Sequence, residues 1–253
     1  MDLGLRERVY VLTGASRGLG YATAECLVAD GACVVLSARD ADTLAAAVER
    51  LGGPEQAVGL PGDLGDPTLP ERLVATAKDH FGRLDGALIS VGGPPPGNAA
   101  SVTDEQWRTS FETIFLGTIR AIRTITANLP DGGAIGLVLS SSARSPLAGL
   151  GISNGLRPGL AGAAKDIADE YGPRGVRVVG LLPGRILTDR SRELLAATGD
   201  PDRALIEIEA GIPLRRIGDP AEFGRVAAFV LSPAAGYVTG VTIPVDGGAL
   251  RGL

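Results

Sequence analysis

The sequence has only two cysteines, Cys26 and Cys33, and one histidine, His80. The cysteines lack metal-ligand spacing and stand far from the histidine, so no metal site is expected. They read as small buried hydrophobes of a reducing compartment. His80 ends a helix-periodic stretch before FGRLD and reads as a surface or capping residue. Lys and Arg total 24 against 29 Asp and Glu, a net charge of −5. No basic block interrupts the chain, which argues against a nucleic-acid partner. No apolar run approaches the ~18 residues of a membrane span. The N-terminus, MDLGLRERVYVLTG, carries Arg6, Glu7 and Arg8 ahead of a short apolar run and does not read as a signal peptide. The expectation is a cytoplasmic protein with no membrane partner. A more local absence is chemical. Between Ser140 and Pro158 there is no tyrosine, lysine, histidine or carboxylate. Yet this stretch, a serine run followed by GLGISNGLRPG, reads as a strand edge and a helix start, a place suited to catalysis.

What is present supports a large core: 45% of the 253 residues are hydrophobic, and 37 are glycine. Seven short apolar runs read as strands: RVYVLT, ACVVLSA, QAVGL, DGALISV, AIGLVLS, VRVVGLL and TIPV. Helix-periodic segments lie between them, including one long run, DEQWRTSFETIFLGTIRAIRTITANL. Continuous apolar strands alternating with helices predict a parallel sheet covered on both faces. No linker or composition break divides the chain. The expectation is one α/β domain over residues 1–253, a doubly wound Rossmann sheet.

The first strand runs into GASRGLG and then a helix, placing Gly14, Gly18 and Gly20 in the pattern G-x-x-x-G-x-G. Gly14 serves the tight turn, Gly18 admits a pyrophosphate close to the backbone, and Gly20 lets helix and strand pack closely. The helix N-terminus then faces the phosphates with free N–H groups. The second strand ends LSARD, with Ala38 where a carboxylate would accept from a ribose 2′-hydroxyl. Arg39 follows, and Arg17 lies in the glycine loop. Each alone reads as a solvated surface residue. Together they suit a 2′-phosphate and favour NADP(H) over NAD(H), with Asp40 weighing against.

Beyond this loop the chain resembles the short-chain dehydrogenase/reductase family along nearly its whole length. GDLGD with Asp63, HFGRLDGALISVGG, VRVVGLLPGRILTDR and YVTGVTIPVDGG match its further motifs in order. The nearest likeness is to a divergent β-ketoacyl-carrier-protein-reductase type. The resemblance implies an open sheet of about seven strands and a homotetramer or homodimer. It also implies a cofactor site lined by Gly14, Ser16, Arg17, Gly18, Leu19, Gly20, Arg39, Asp63, Leu64, Gly92, Pro183, Gly184, Ile186 and Thr188. Residues 189–212 match its substrate lid. The family's catalytic serine falls at Ser140 or Ser141, its tyrosine at Ser153, its lysine at Arg157 and its asparagine at Ile114. The family's Asn-Asn-Ala-Gly reads ISVG, Ile89 to Gly92.

Two expectations follow. In one, the protein reduces a carbonyl, a β-ketoacyl thioester among the candidates, with Ser140, Ser153 and Arg157 in the catalytic positions. Its partner is then a small carbonyl or alcohol. In the other, it binds NADP(H) without turnover, as a sensor, regulatory or assembly subunit. The second gains from a local alternative: Ser153 or Asn154, both favoured N-caps, reads as the cap of the helix, with Pro158 close to its start. A helix starting at Asn154 would lose the face shared by Ser153 and Arg157.

Overall fold

A computed structural model describes residues 2–196 and 199–252. All seven expected strands form: β1 (Val9–Thr13), β2 (Cys33–Ala38), β3 (Ala57–Pro61), β4 (Gly86–Ile89), β5 (Ala134–Val138), β6 (Arg177–Pro183) and β7 (Val241–Val245). They build one parallel sheet in the order β3-β2-β1-β4-β5-β6-β7. Strand order reverses at β1, so a crevice opens at the carboxyl ends of β1 and β4, the usual ligand position in open α/β sheets.

Period-two alternation distributes side chains between two cores. Along β1, Val9 and Val11 join one core while Tyr10 and Leu12 join the other. On the first face lie α3 (Leu69–Phe81), α5 (Gly117–Asn128) and α6 (Gly151–Tyr171), through Leu73, Ile122 and Leu160. On the second lie α1 (Gly18–Ala29), α2 (Ala41–Arg50) and α9 (Pro220–Leu231), through Leu27, Leu44 and Phe223. Burial on both faces explains why β1 and β5 read as unbroken apolar runs.

The long helical run does not form as one α-helix. It divides into α4 (Asp104–Ser110), a π-helical segment Phe111–Leu116, and α5. Such π segments are uncommon and are frequent at functional sites. The stretch expected to be a substrate lid contains α7 (Asp189–Ala196) and α8 (Pro201–Ala210); residues 197 and 198 within it lie outside the described residues. Among the described residues, no helix is long and apolar enough to cross a membrane. None of their His, Cys, Asp and Glu side chains gather into a group that could hold a metal ion.

Candidate active site

The glycine loop links β1 to α1. Gly14 and Gly18 take positive φ values of 59° and 62°, which other L-residues rarely adopt. A Cβ on Gly14 would stand 2.8 Å from the Ser90 carbonyl oxygen, and one on Gly20 would stand 2.6 Å from that of Gly14. The loop is therefore closed against the end of β4 and against itself. Thr13 reinforces the closure: its hydroxyl donates to the Ser90 carbonyl at 2.8 Å and accepts from the Ser90 N–H at 2.9 Å. Ser90 lies within ISVG, a segment whose sequence departs from the family pattern but whose backbone holds this junction. Across the loop, the Thr188 methyl lies 3.6 Å from the Cβ position of Gly18, so the segment after β6 closes over the phosphate loop.

The remaining residues expected at the cofactor differ in burial. Ser16 is buried and Leu19 half-buried, and Ile186 packs into the second core. Leu64 is buried in the first core, and its carbonyl packs against Gly117 at the start of α5. Gly92 is exposed, and Pro183 and Gly184 are half-buried at the end of β6. Both arginines read from the sequence are exposed, and each has an acidic partner. Arg17 lies 3.6 Å from Glu193 on α7, and Arg39 lies 3.8 Å from Asp63. Asp63 also accepts from the Gly65 N–H at 2.7 Å. Asp40 caps α2 by accepting from Thr43 N–H at 2.8 Å. That hydrogen bond holds its carboxyl below the usual range.

The positions matched to the family's catalytic serine, tyrosine and lysine lie in the loop after β5 and on α6. The helix begins at Gly151, with Leu150 as N-cap and no side-chain capping bond. The capping alternative for Ser153 and Asn154 is thereby corrected. Asn154 instead clamps the preceding loop, its amide accepting from Leu147 N–H at 2.9 Å and donating to the Leu147 carbonyl at 2.8 Å. The 92–98 loop fixes the chain further. Gly97 N–H donates to Gly149, and Gly151 N–H donates back to Gly97, each at 2.8 Å. These contacts place the helix start without a polar cap. Pro158 then lies inside the helix as its eighth residue, on the exposed side. Its lost N–H costs the helix one hydrogen bond.

With Ser153 and Arg157 both inside α6, their i, i+4 spacing puts them on one face. Both are 5% exposed. The Ser153 hydroxyl shares a 2.8 Å hydrogen bond with Ser142, a residue the sequence reading passed over. Ser140 is placed otherwise: its hydroxyl accepts from the Ser142 N–H at 3.1 Å and caps the short 3₁₀ turn Ser141–Ala143. That turn brings the third serine of the run, not the first or second, to Ser153. The signal was the run itself; its register was not legible.

The Arg157 side chain reaches the end of β5, where Nη1 donates to the Val138 carbonyl at 2.9 Å. Its Nε is buried with no partner. Burial pushes its pKa down from 12.5 to about 10, so it remains a cation at neutral pH. Ile114, at the family's asparagine position, is buried in the π-helical segment and offers no polar group. No tyrosine substitutes. Tyr10 donates to the Leu231 carbonyl within the second core, Tyr21 lies under Arg50, Tyr171 ends α6, and Tyr237 is fully exposed. His80 lies at the far end of α3, bonded to the Pro54 carbonyl.

Comparison with known proteins agrees with this architecture. A sequence model of the family described as enoyl-(acyl carrier protein) reductase matches residues 14–249. The short-chain reductase protein NovJ of Streptomyces niveus is 32% identical over 249 residues, covering 96% of this chain and 94% of the relative. Two solved structures superpose over the full length of both chains with 29% identity. One is L-sorbose reductase from Gluconobacter frateurii, complexed with NADPH and L-sorbose, at a TM-score of 0.92. The other, at 0.91, is a short-chain oxidoreductase from Pseudomonas aeruginosa described as containing an atypical catalytic center. By sequence and by fold, the chain is an oxidoreductase of the short-chain dehydrogenase/reductase family.

Proposed function

We propose that the chain is an NADP(H)-dependent carbonyl reductase in which Ser153 and Arg157 occupy the positions of the family's tyrosine and lysine. The observation that carries this reading is their placement: both lie inside α6, buried, one turn apart, beside the end of β5. The residues present fit a nicotinamide dinucleotide. The glycine loop packs so closely on itself and on the end of β4 that Gly14 and Gly20 admit no Cβ, which keeps its turn clear of side chains, and the unpartnered Arg157 Nε is a donor awaiting an acceptor.

The glycine loop and the start of α1 would hold the pyrophosphate, with Asp63 at the adenine and Thr188 at the nicotinamide carboxamide. Arg17 and Arg39 would take the 2′-phosphate in exchange for Glu193 and Asp63. Reduced nicotinamide, when bound, supplies the hydride. The chain's own residues then position the acceptor. Ser153, backed by Ser142, donates a hydrogen bond to the substrate oxygen and would relay to the resulting alkoxide a proton drawn from the nicotinamide ribose or from water, and Ser140 offers a second hydroxyl. Arg157 holds the nicotinamide ribose and provides a fixed positive charge, without giving up its proton. The missing tyrosine removes a positioned acid, which lowers the rate by ~10²–10⁴-fold without abolishing placement. The acceptor is a small carbonyl compound, β-ketoacyl thioesters included. The 189–212 segment is the substrate lid, and the assembly is a homotetramer or homodimer.

The test is NADPH oxidation across a panel of ketones and β-ketoacyl thioesters. Turnover that falls in Arg157→Ala is the expected result. NADPH binding without turnover on any member overturns the reductase reading. It would favour the second one, a silent NADP(H)-binding subunit. That reading is supported by the Ser153 hydroxyl being engaged with Ser142 and by the lack of a tyrosine in its place.

A further inference from the structure

Arg157 differs from the other buried charges in how little balances it. Asp85, at the amino-terminal edge of the sheet, is met by Arg83 at 2.7 Å and Arg8 at 3.2 Å. Arg177 is buried but donates to the carbonyls of Val230, Ser232 and Val238. Arg157 has one neutral acceptor, the Val138 carbonyl, and an unpartnered Nε. No carboxylate among the described residues pairs with it, and burial alone accounts for its lowered pKa. The adjacent family position holds Ser153, whose hydroxyl does not ionise to offset the charge. An uncompensated buried cation of this kind costs several kcal/mol, so it acts on whatever charge enters the crevice.

We propose that Arg157 makes the dinucleotide site select oxidation state, binding reduced cofactor in preference to oxidised. The oxidised nicotinamide ring carries a positive charge and the reduced ring does not; otherwise the two dinucleotides present the same groups. The inference rests on the reading above, in which the nicotinamide end lies beside α6. It does not need contact. At an effective dielectric of ~20, two unit charges roughly 12 Å apart repel by about 1.4 kcal/mol, a tenfold change in affinity. A reductase built this way retains its reductant and releases the spent form. In a protein that did not turn over, occupancy would follow the ratio of reduced to oxidised dinucleotide.

The experiment measures dissociation constants for NADPH, NADP⁺ and 2′,5′-ADP, which has the phosphorylated adenosine half and no nicotinamide. Wild type, Arg157→Met and Arg157→Lys are compared at about pH 6.5, a pH chosen to favour the charged form of the lysine. Wild type is expected to bind NADPH at least tenfold more tightly than NADP⁺. Arg157→Met should bring the two affinities within about threefold, Arg157→Lys should keep most of the gap, and 2′,5′-ADP should bind all three proteins alike. Equal affinities in wild type, a gap unchanged in Arg157→Met, or a gap lost equally in Arg157→Lys would overturn the inference while leaving the cofactor reading intact. Failure of wild type to bind even 2′,5′-ADP would overturn that reading, and this inference with it.

Discussion

Replacing Arg157 with methionine should leave the protein at least as stable, although it removes a residue of the proposed site. Methionine matches the length of the aliphatic stem and carries no charge. The guanidinium is 5% exposed, and burial lowers its pKa from 12.5 to about 10. That depression corresponds to about 3 kcal/mol of penalty on the charged form in the folded state. Against this stands the hydrogen bond to the Val138 carbonyl. A bond with a charged donor contributes roughly 1.5–3 kcal/mol. The penalty equals or exceeds the bond, so the variant should be as stable as wild type or gain up to about 1 kcal/mol, at most ~2–4 °C in Tm for a chain of this size. The pH dependence has a defined sign. The cation is disfavoured on folding, so its penalty is fully present below about pH 10, where both states are protonated. It fades as pH rises from there toward 12.5. Differential scanning calorimetry without cofactor should show a constant gap from neutral pH to about 9, narrowing above. NADPH should raise the Tm of wild type more than that of the variant, because ligand stabilisation follows affinity. A variant that melts several degrees below wild type would refute the reasoning: the charge would then be compensated, and the case for charge-based selection would lose its foundation.

Two further outcomes follow from the crevice. Gly20→Ala places a methyl 2.6 Å from the Gly14 carbonyl and 2.9 Å from the Ala15 Cα. Both are backbone atoms that cannot swing away, so NADPH binding should fall by at least tenfold in a fluorescence titration; unchanged affinity would mean the loop is not the phosphate cradle. Glu193→Gln removes the carboxylate 3.6 Å from Arg17. An exposed pair is a weak competitor, so NADPH should bind about two- to fivefold more tightly. NADH, lacking the 2′-phosphate, should be unaffected, and an equal gain for both would detach Arg17 from the 2′-phosphate.

The fold was legible because its determinants are local. Seven apolar runs became seven strands, and the glycine spacing became a loop whose positive φ angles require glycine at positions 14 and 18. The helical run from Asp104 was legible as helix but not as α, π and α in succession, because periodicity does not distinguish one added residue per turn over a six-residue segment. The start of α6 stayed open between two readings for a related reason. Ser153 and Asn154 are good N-caps in isolation. What decides the boundary is the 92–98 loop, some fifty residues away, whose Gly97 pairs with Gly149 and Gly151. Local propensity yielded to a tertiary contact that no window of sequence contains.

The site itself was half legible, and the half that was missed concerns direction rather than position. Alignment to the family placed Ser153 and Arg157 together on one helix, as they lie in α6, but could not say which serine Ser153 would meet. The turn Ser141–Ala143 decides that, rotating Ser142 inward and leaving Ser140 to cap it. Nor could it say that Arg157 would be buried beside a single carbonyl. The backbone accommodates these side chains: a π-helical segment forms with Ile114 at the position matched to the family's asparagine, and α6 forms with Pro158 inside it. Replacing the side chains on that frame changes the electrostatics more than the shape. An ionisable acid is removed and a permanent cation is enclosed, so the crevice loses its proton donor while retaining an unbalanced charge. Under the proposed function such a site would still hold a dinucleotide, and its power to distinguish charge states should outlast its power to protonate an alkoxide.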